Sequence, residues 1–176
     1  MTRRFSAKRY ARAIFEIALE KKQLDEWKSD LEEVALITQD ATIAAFLKSP
    51  DVRFEDKARL ISERLVDVNP MVLNLVYLLL TRGKLNMLND IIAEYQGMID
   101  KYYGIERAEV TTAIPLNNED RLTISQKLGD IINKKVVVDP EHVDPSLIGG
   151  VIVKVSGKLL DGSTRGKLEA LKKEIG

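Results

Sequence analysis

At Gly104 the hydrophobic periodicity of the chain changes, and this break constrains the fold more than any other feature. Before it, apolar residues recur at spacings of three and four, the repeat of a helix that buries one face. After it, apolar residues come in short alternating runs bounded by proline, glycine and asparagine, the repeat of strands and turns. One layer of packed helices cannot absorb both patterns. The expected architecture is an all-α N-terminal six-helix bundle over residues 1–104, followed by a small α+β C-terminal domain over residues 105–176.

Six helices are predicted in the first part. Ser6–Lys22 carries Ala7, Tyr10, Ala11, Ile14, Ile17 and Ala18 on one face, with Ser6 as a predicted N-cap. Its alanines allow close approach of another helix. A second helix spans Leu24–Thr38, with Trp27, Leu31, Val34, Ala35 and Thr38 in phase. A short third covers Thr42–Lys48 and ends before Ser49-Pro50, where the pre-proline residue resists helical geometry. Phe54–Leu65 is a fourth, with Ala58, Ile61 and Leu65 inward. Pro70 opens the fifth, Met71–Thr81, which is apolar on most of its faces and is expected in the middle of a bundle. Gly83 ends it, and Leu85–Tyr103 forms the sixth, with Leu88, Ile91, Ile92, Tyr95, Met98, Ile99 and Tyr102 in phase.

The second part reads as a strand at Glu109–Ala113, a helix at Glu119–Ile132 with Leu122, Ile124, Leu128 and Ile131 apolar, and a strand at Lys135–Asp139. A hairpin follows, then a terminal helix over Thr164–Ile175. The hairpin lies in LIGGVIVKVSGKLLDGSTRG, residues 147–166. A phosphate-binding loop would need G-x-x-x-x-G-K-[ST] running straight into a helix. Here Gly150 and Gly157 are too far apart, and Lys158 is followed by Leu159. Val151, Val153 and Val155 alternate with Ile152, Lys154 and Ser156, which is strand periodicity. Gly149 and Gly150 are expected to give a flexible lead-in, Gly157 the hairpin turn, and Asp161-Gly162-Ser163 the turn into the last helix before Arg165.

Little else in the chain suggests a reaction centre. There is no cysteine, which excludes disulfides, thiolate metal sites and thiol nucleophiles. His142 is the only histidine and lies between Asp139-Pro140 and Asp144-Pro145, in predicted loop, where a solvated ring is expected. No catalytic, cofactor-binding or metal-binding residue is assigned, and no cofactor. The acidic pairs Asp25-Glu26 and Glu32-Glu33 are interspersed with lysine and arginine, as on a solvated helix face. Lys and Arg together number 27, matching 27 Asp and Glu, and each half of the chain is balanced on its own. That argues against a nucleic-acid surface. The longest greasy run, Val72–Leu80, is too short to span a bilayer and contains Asn74. The early basic residues Arg3, Arg4, Lys8, Arg9 and Arg12 are soon followed by Glu16 and Glu20, unlike a secretory signal. Trp27 is expected in the core ahead of an interface. What remains is a groove between the alanine-smoothed first helix and the apolar fifth, which either accepts a partner helix or is filled by the bundle's own core.

Three stretches carry a family resemblance. Lys8–Ala18, KRYARAIFEIA, resembles the N-terminal signature of the δ subunit of F-type ATP synthases, the family of the oligomycin-sensitivity-conferring protein. Leu79–Leu88 is similar to that family's turn after the fifth helix. Asp144–Val151 with Asp161–Leu168 resembles its C-terminal signature. The resemblance implies a bacterial-type, non-catalytic stator subunit, present once in a hetero-oligomer. The helical domain would cap the α3β3 head and hold the N-terminal helix of an α subunit. The C-terminal domain would grip the b subunits of the peripheral stalk, so that proton flow stays coupled to ATP synthesis. It further implies a peripheral location on the cytoplasmic face of the plasma membrane, reached only through partners. By position, Tyr10, Ala13, Ile14 and Ile17 on the first helix, Trp27 beside it, and Val76, Leu79 and Leu80 on the fifth would contact the α subunit. The competing expectation is a helical adaptor or scaffold unrelated to ATP synthase. A nucleotide-handling protein acting through Lys158 is a third, weakened by the absent motif.

Overall fold

The structure of the chain is a computed structural model, and it describes residues 2–166. The backbone divides into two compact units, Met1–Ile99 and Asp100–Gly176. The division falls inside the last helix of the helical part, five residues before the change of periodicity at Gly104.

Six α-helices contribute to the first unit. They are α1 (Thr2–Glu20), α2 (Leu24–Gln39), α3 (Ala41–Lys48), α4 (Phe54–Arg64), α5 (Pro70–Thr81) and α6 (Leu88–Tyr103). They share one core. Helix α1 contributes Ala7, Ala11, Ile14 and Ala18, a stripe at spacings of three and four. It starts four residues before the predicted N-cap, so Ser6 sits inside it. No proline or glycine precedes Ser6, and the backbone ladder simply continues back to Thr2. Its C-terminus closes with Lys22 N–H on the Leu19 carbonyl and Gln23 N–H on the Ala18 carbonyl. That paired arrangement needs a left-handed residue, here Lys22 at φ 58°.

Both α1 and α5 pack against α2. Helix α2 buries Leu24, Trp27, Leu31, Val34 and Ala35. Thr38 is only half buried, with its hydroxyl bonded back to the Val34 carbonyl at 2.9 Å. Asp40, unread in the sequence, caps α3 by accepting from Thr42 N and Ile43 N. Asn69 caps α5 by accepting from Met71 N, and its own N–H donates to Asp30 on α2 at 3.0 Å. Gly83, at φ 62°, ends α5 with the same paired closure as α1, donating to Leu80 while Lys84 N–H reaches Leu79. A 3-10 turn, Leu85–Met87, leads into α6. From α6, Leu88, Ile91, Tyr95 and Ile99 enter the core. The Tyr95 hydroxyl donates to the Leu24 carbonyl at 3.0 Å, which satisfies its polar end in an apolar setting. Tyr102, predicted in the same phase, is instead exposed against Tyr103, because the core ends before the helix does.

The second unit holds a four-stranded mixed sheet, order β2-β1-β3-β4, made of β1 (Ile105–Thr112), β2 (Lys135–Val143), β3 (Val151–Val155) and β4 (Lys158–Asp161). Strand β1 is parallel to β2 and antiparallel to β3, which is antiparallel to β4. Parallel pairing requires a crossover, supplied by helix α7 (Asn118–Ile132). Leu128 of α7, with Ile124 and Ile132, covers Ala108, Val110, Val136, Val153 and Val155. Leu122 and Ile131, also apolar, are exposed, since only one stripe of α7 faces the sheet. Strand β2 runs four residues past its predicted end, through Pro140, because it is an edge strand and needs no outward N–H there. His142 therefore lies on a strand rather than in a loop, with Nε2 3.3 Å from the Glu109 carboxylate. Helical geometry begins at Thr164; the predicted terminal helix beyond Gly166 lies outside the described residues.

Candidate interaction sites

The eight sequence-assigned residues of the helical unit divide by burial. Ile14, Trp27, Val76 and Leu79 belong to its core, and Trp27 is 0% exposed. Its indole N–H lies 3.4 Å from Gln23 Oε1. Tyr10, Ile17 and Leu80 are half buried against that core, and Ala13 is exposed. Ile14, Trp27, Val76 and Leu79 thus hold the helices together.

Further exposed apolar residues were not legible in the sequence. Phe5 on α1 and Met71 and Leu78 on α5 are exposed apolar side chains, although α5, apolar on most of its faces, was expected in the middle of the bundle. Met71, Leu78 and the polar Asn74 and Thr81 repeat at spacings of three and four on the outer face of α5. Phe54 of α4 packs edge-on against Tyr77 at 6.2 Å and is itself partly open. The available signal was the run of apolar residues on α5 beyond the width a core-facing stripe requires.

In the second unit the hairpin and its flanks form a rigid crossing. Ser156 and Gly157, at φ 50° and 76°, make the two-residue turn whose twist matches the strands. Gly149 and Gly150 are not a flexible lead-in. The Gly149 carbonyl accepts from Thr164 N at 2.9 Å, and the Val151 carbonyl accepts from Gly162 N at 2.8 Å. Gly150 sits at φ 80°, where an added Cβ would collide with the Gly162 carbonyl oxygen and lie 2.8 Å from Ser163 Cα. Two backbone segments touch here because neither carries a side chain in between. Asp161 accepts from Ser163 N at 2.9 Å, which holds its carboxyl below the ordinary carboxylate pKa. The buried Ser163 hydroxyl accepts from Gly166 N at 2.9 Å, so Ser163 is the helix cap.

Charges in this unit are arranged in fixed pairs. Arg107 on β1 grips the buried Asp100 with both ends of its guanidinium, at 2.6 and 3.1 Å, and also pairs with Asp139. Asp100 raises the Arg107 pKa further above its usual value, against the opposing effect of burial. Glu106 lies below its ordinary value because it accepts from Lys134 at 2.6 Å. Glu141 accepts from Leu116 N at 2.7 Å and pairs with Arg121, tying the loop after β1 to the β2 edge. These pairs tie neighbouring segments of the unit together. Among the described residues no cluster of three side chains could hold a metal ion, and no helix is long and apolar enough to cross a membrane.

Comparison with known proteins accounts for this architecture. Residues 7–175 match the family described as ATP synthase delta (OSCP) subunit. The chain is 37% identical over 169 residues to ATP synthase subunit delta of Dehalococcoides mccartyi strain 195, covering 96% of this chain and 93% of the relative. It is 31% identical over 166 residues to ATP synthase subunit delta of Priestia megaterium, covering 94% and 92%. In fold it resembles a chain of the Toxoplasma gondii mitochondrial ATP synthase hexamer, with a TM-score of 0.66 at 22% identity over 96% of both chains. The chain belongs to the ATP synthase delta (OSCP) subunit family.

Proposed function

We propose that this chain is the non-catalytic stator subunit of an F-type proton-translocating ATP synthase. Its helices act as a six-helix bundle, residues 1–104, that caps the α3β3 head and holds the N-terminal helix of an α subunit. Residues 105–176 grip the b subunits of the peripheral stalk. One copy per complex sits at the cytoplasmic face of the bacterial plasma membrane and reaches the membrane only through its partners. The observation that carries this reading is family membership across nearly the whole chain, residues 7–175.

A stator joint resists torque without chemistry, so it requires slowly dissociating packing. Buried apolar surface stabilises such packing by about 25 cal/mol per Å², offset by the ordering of the partner segment. Two units that each hold a partner raise one another's effective concentration. On the helical unit the partner lies along the open lip, on Tyr10, Ala13, Ile17 and Leu80 with Phe5 and Leu78. Ile14, Trp27, Val76 and Leu79 shape that lip from beneath.

The test uses the exposure of Ala13. An exposed Ala13→Glu change alters folding stability by less than about 0.5 kcal/mol. It buries an unpaired charge once a helix docks, and so weakens binding of an α-subunit N-terminal peptide by several kcal/mol, on the order of 2–4. Titration of the full chain with that peptide, followed by amide shifts, should move α1 and α5 together. Unchanged affinity of the variant, or shifts confined elsewhere, would sink the groove assignment.

A further inference from the structure

Asp161-Gly162 is the only Asp-Gly step in the chain, and the sequence has no Asn-Gly. Such a step is prone to rearrange, because glycine puts no side chain in the way of attack by its own nitrogen on the preceding carboxyl. In that attack the Gly162 nitrogen bonds to Asp161 Cγ. The amide proton and the carboxyl hydroxyl leave together as water, and a five-membered succinimide ring remains. Water then opens the ring at either carbonyl. Opening at Cγ restores aspartate. Opening at the main-chain carbonyl leaves an isoaspartyl linkage, in which the chain runs through the Asp161 side chain and the old main-chain carboxyl is free. Water is lost and regained, so no oxidant or cofactor is needed.

The fold engages both reacting groups. The Gly162 N–H donates to the Val151 carbonyl at 2.8 Å. Asp161 Oδ1 accepts from Ser163 N at 2.9 Å. Hydrogen bonds from the Ser163 N–H and hydroxyl hold that carboxyl below the ordinary carboxylate pKa, in the ionised form that lacks a leaving hydroxyl. The other oxygen, Oδ2, lies against the Gly166 backbone, where an added Cβ would stand 2.5 Å from it. Ring closure therefore requires release of Gly162 from Val151 and of Asp161 from Ser163.

The place where this occurs can open locally. Strand β4 is an edge strand, paired only with β3, and all four of its residues are exposed. Asp161 and Gly162 both face water, the reactant of the second step. Edge segments with exposed backbone bonds open without unfolding the rest of a domain.

We propose that Asp161-Gly162 is a site of spontaneous isoaspartyl formation, gated by the crossing of residues 149–151 on 162–164. Closed, the step is inert; open, it reacts. The product carries one extra main-chain methylene, which shifts Gly162 and Thr164 out of register with Val151 and Gly149, so the crossing cannot re-form. Its free carboxyl places the opened chain in the substrate class of enzymes that methylate isoaspartyl groups from a sulfonium donor. This site is independent of the stator reading.

The full chain is incubated at neutral pH, folded and in urea, and isoaspartate at position 161 is quantified by peptide mapping after enzymatic isoaspartyl methylation. The folded rate should be at least about tenfold below the rate in urea, since two hydrogen bonds must open first. Gly150→Ala should raise the folded rate towards the urea rate. Gly157→Ala, whose Cβ meets nothing within 4 Å, should raise it far less. Ser163→Ala removes only a hydroxyl and should also accelerate the reaction, which covers the case that Gly150→Ala leaves the unit unfolded. Asp161→Glu would need a six-membered ring and should abolish the signal. The isolated isoaspartyl chain should lose amide-exchange protection in β3 and β4 with Trp27 fluorescence unchanged. A folded rate equal to the rate in urea, or one that neither Gly150→Ala nor Ser163→Ala raises, overturns the proposal.

Discussion

Replacing Gly150 by alanine isolates the backbone crossing on which the C-terminal unit depends. Two separate costs apply. An L-residue at φ 80° pays about 1–2 kcal/mol for left-handed geometry. The new Cβ also meets backbone, not a movable side chain, at Gly162 and Ser163. Relief requires the segments to part, which loosens Gly162 N–H on Val151 and Thr164 N–H on Gly149. Each such bond contributes about 1 kcal/mol. The sum is on the order of 3–4 kcal/mol. Gly157→Ala is the internal control, since φ there is 76° and a Cβ would meet nothing within 4 Å. It should cost only the conformational part, about 1–2 kcal/mol. The assay is amide hydrogen exchange of β1 and β3 in the full chain, because Trp27 is the only tryptophan and reports on the helical unit alone. Equal losses in the two variants, within about 0.5 kcal/mol, would refute the claim that close approach constrains Gly150.

Two further outcomes are expected. Lys22→Gly should raise the stability of the helical unit by about 0.5–1 kcal/mol, read by Trp27 fluorescence in urea, because Lys22 is exposed and sits at φ 58° in the closure of α1. The Asp161 and Asp144 carboxyls are held below their ordinary value by hydrogen bonds to Ser163 N–H and to Ser146, respectively. Their contribution is full above the unfolded carboxylate pKa, about 3.9, and is lost as pH falls through the lower folded values. Acid exchange measurements on β3 and β4 should therefore show destabilisation beginning at about pH 4, with a shallower slope in Asp161→Asn; an unchanged slope would contradict a stabilising hydrogen bond from Ser163 N–H to Asp161.

Much of the local structure follows from the chain read alone. Periodicity of three and four placed α2, α4 and α5 within a residue or two of their observed ends, since a helix that buries one stripe must repeat that way. Alternation through Val151, Val153 and Val155, with Ser156-Gly157 between the runs, defined the hairpin and removed the phosphate-loop reading. The family signatures at both ends of the chain imply a stator subunit.

Tertiary structure decided everything that depends on which apolar residue meets another. Phase within a helix cannot say how wide a neighbour's footprint is. Leu122, Ile131 and Tyr102 keep the right period yet stay exposed, while Ile14, Trp27, Val76 and Leu79 go to the core, Tyr10, Ile17 and Leu80 are half buried and Ala13 is exposed. Strand β2 could pass Pro140 only because it lies at the sheet edge, a fact of pairing order. Gly149 and Gly150 look flexible as letters and are among the most constrained positions, because a second segment, Gly162 to Thr164, crosses them at van der Waals distance. Local spacing records what a residue needs from its own element; what approaches it from a distant part of the chain is settled only by the fold.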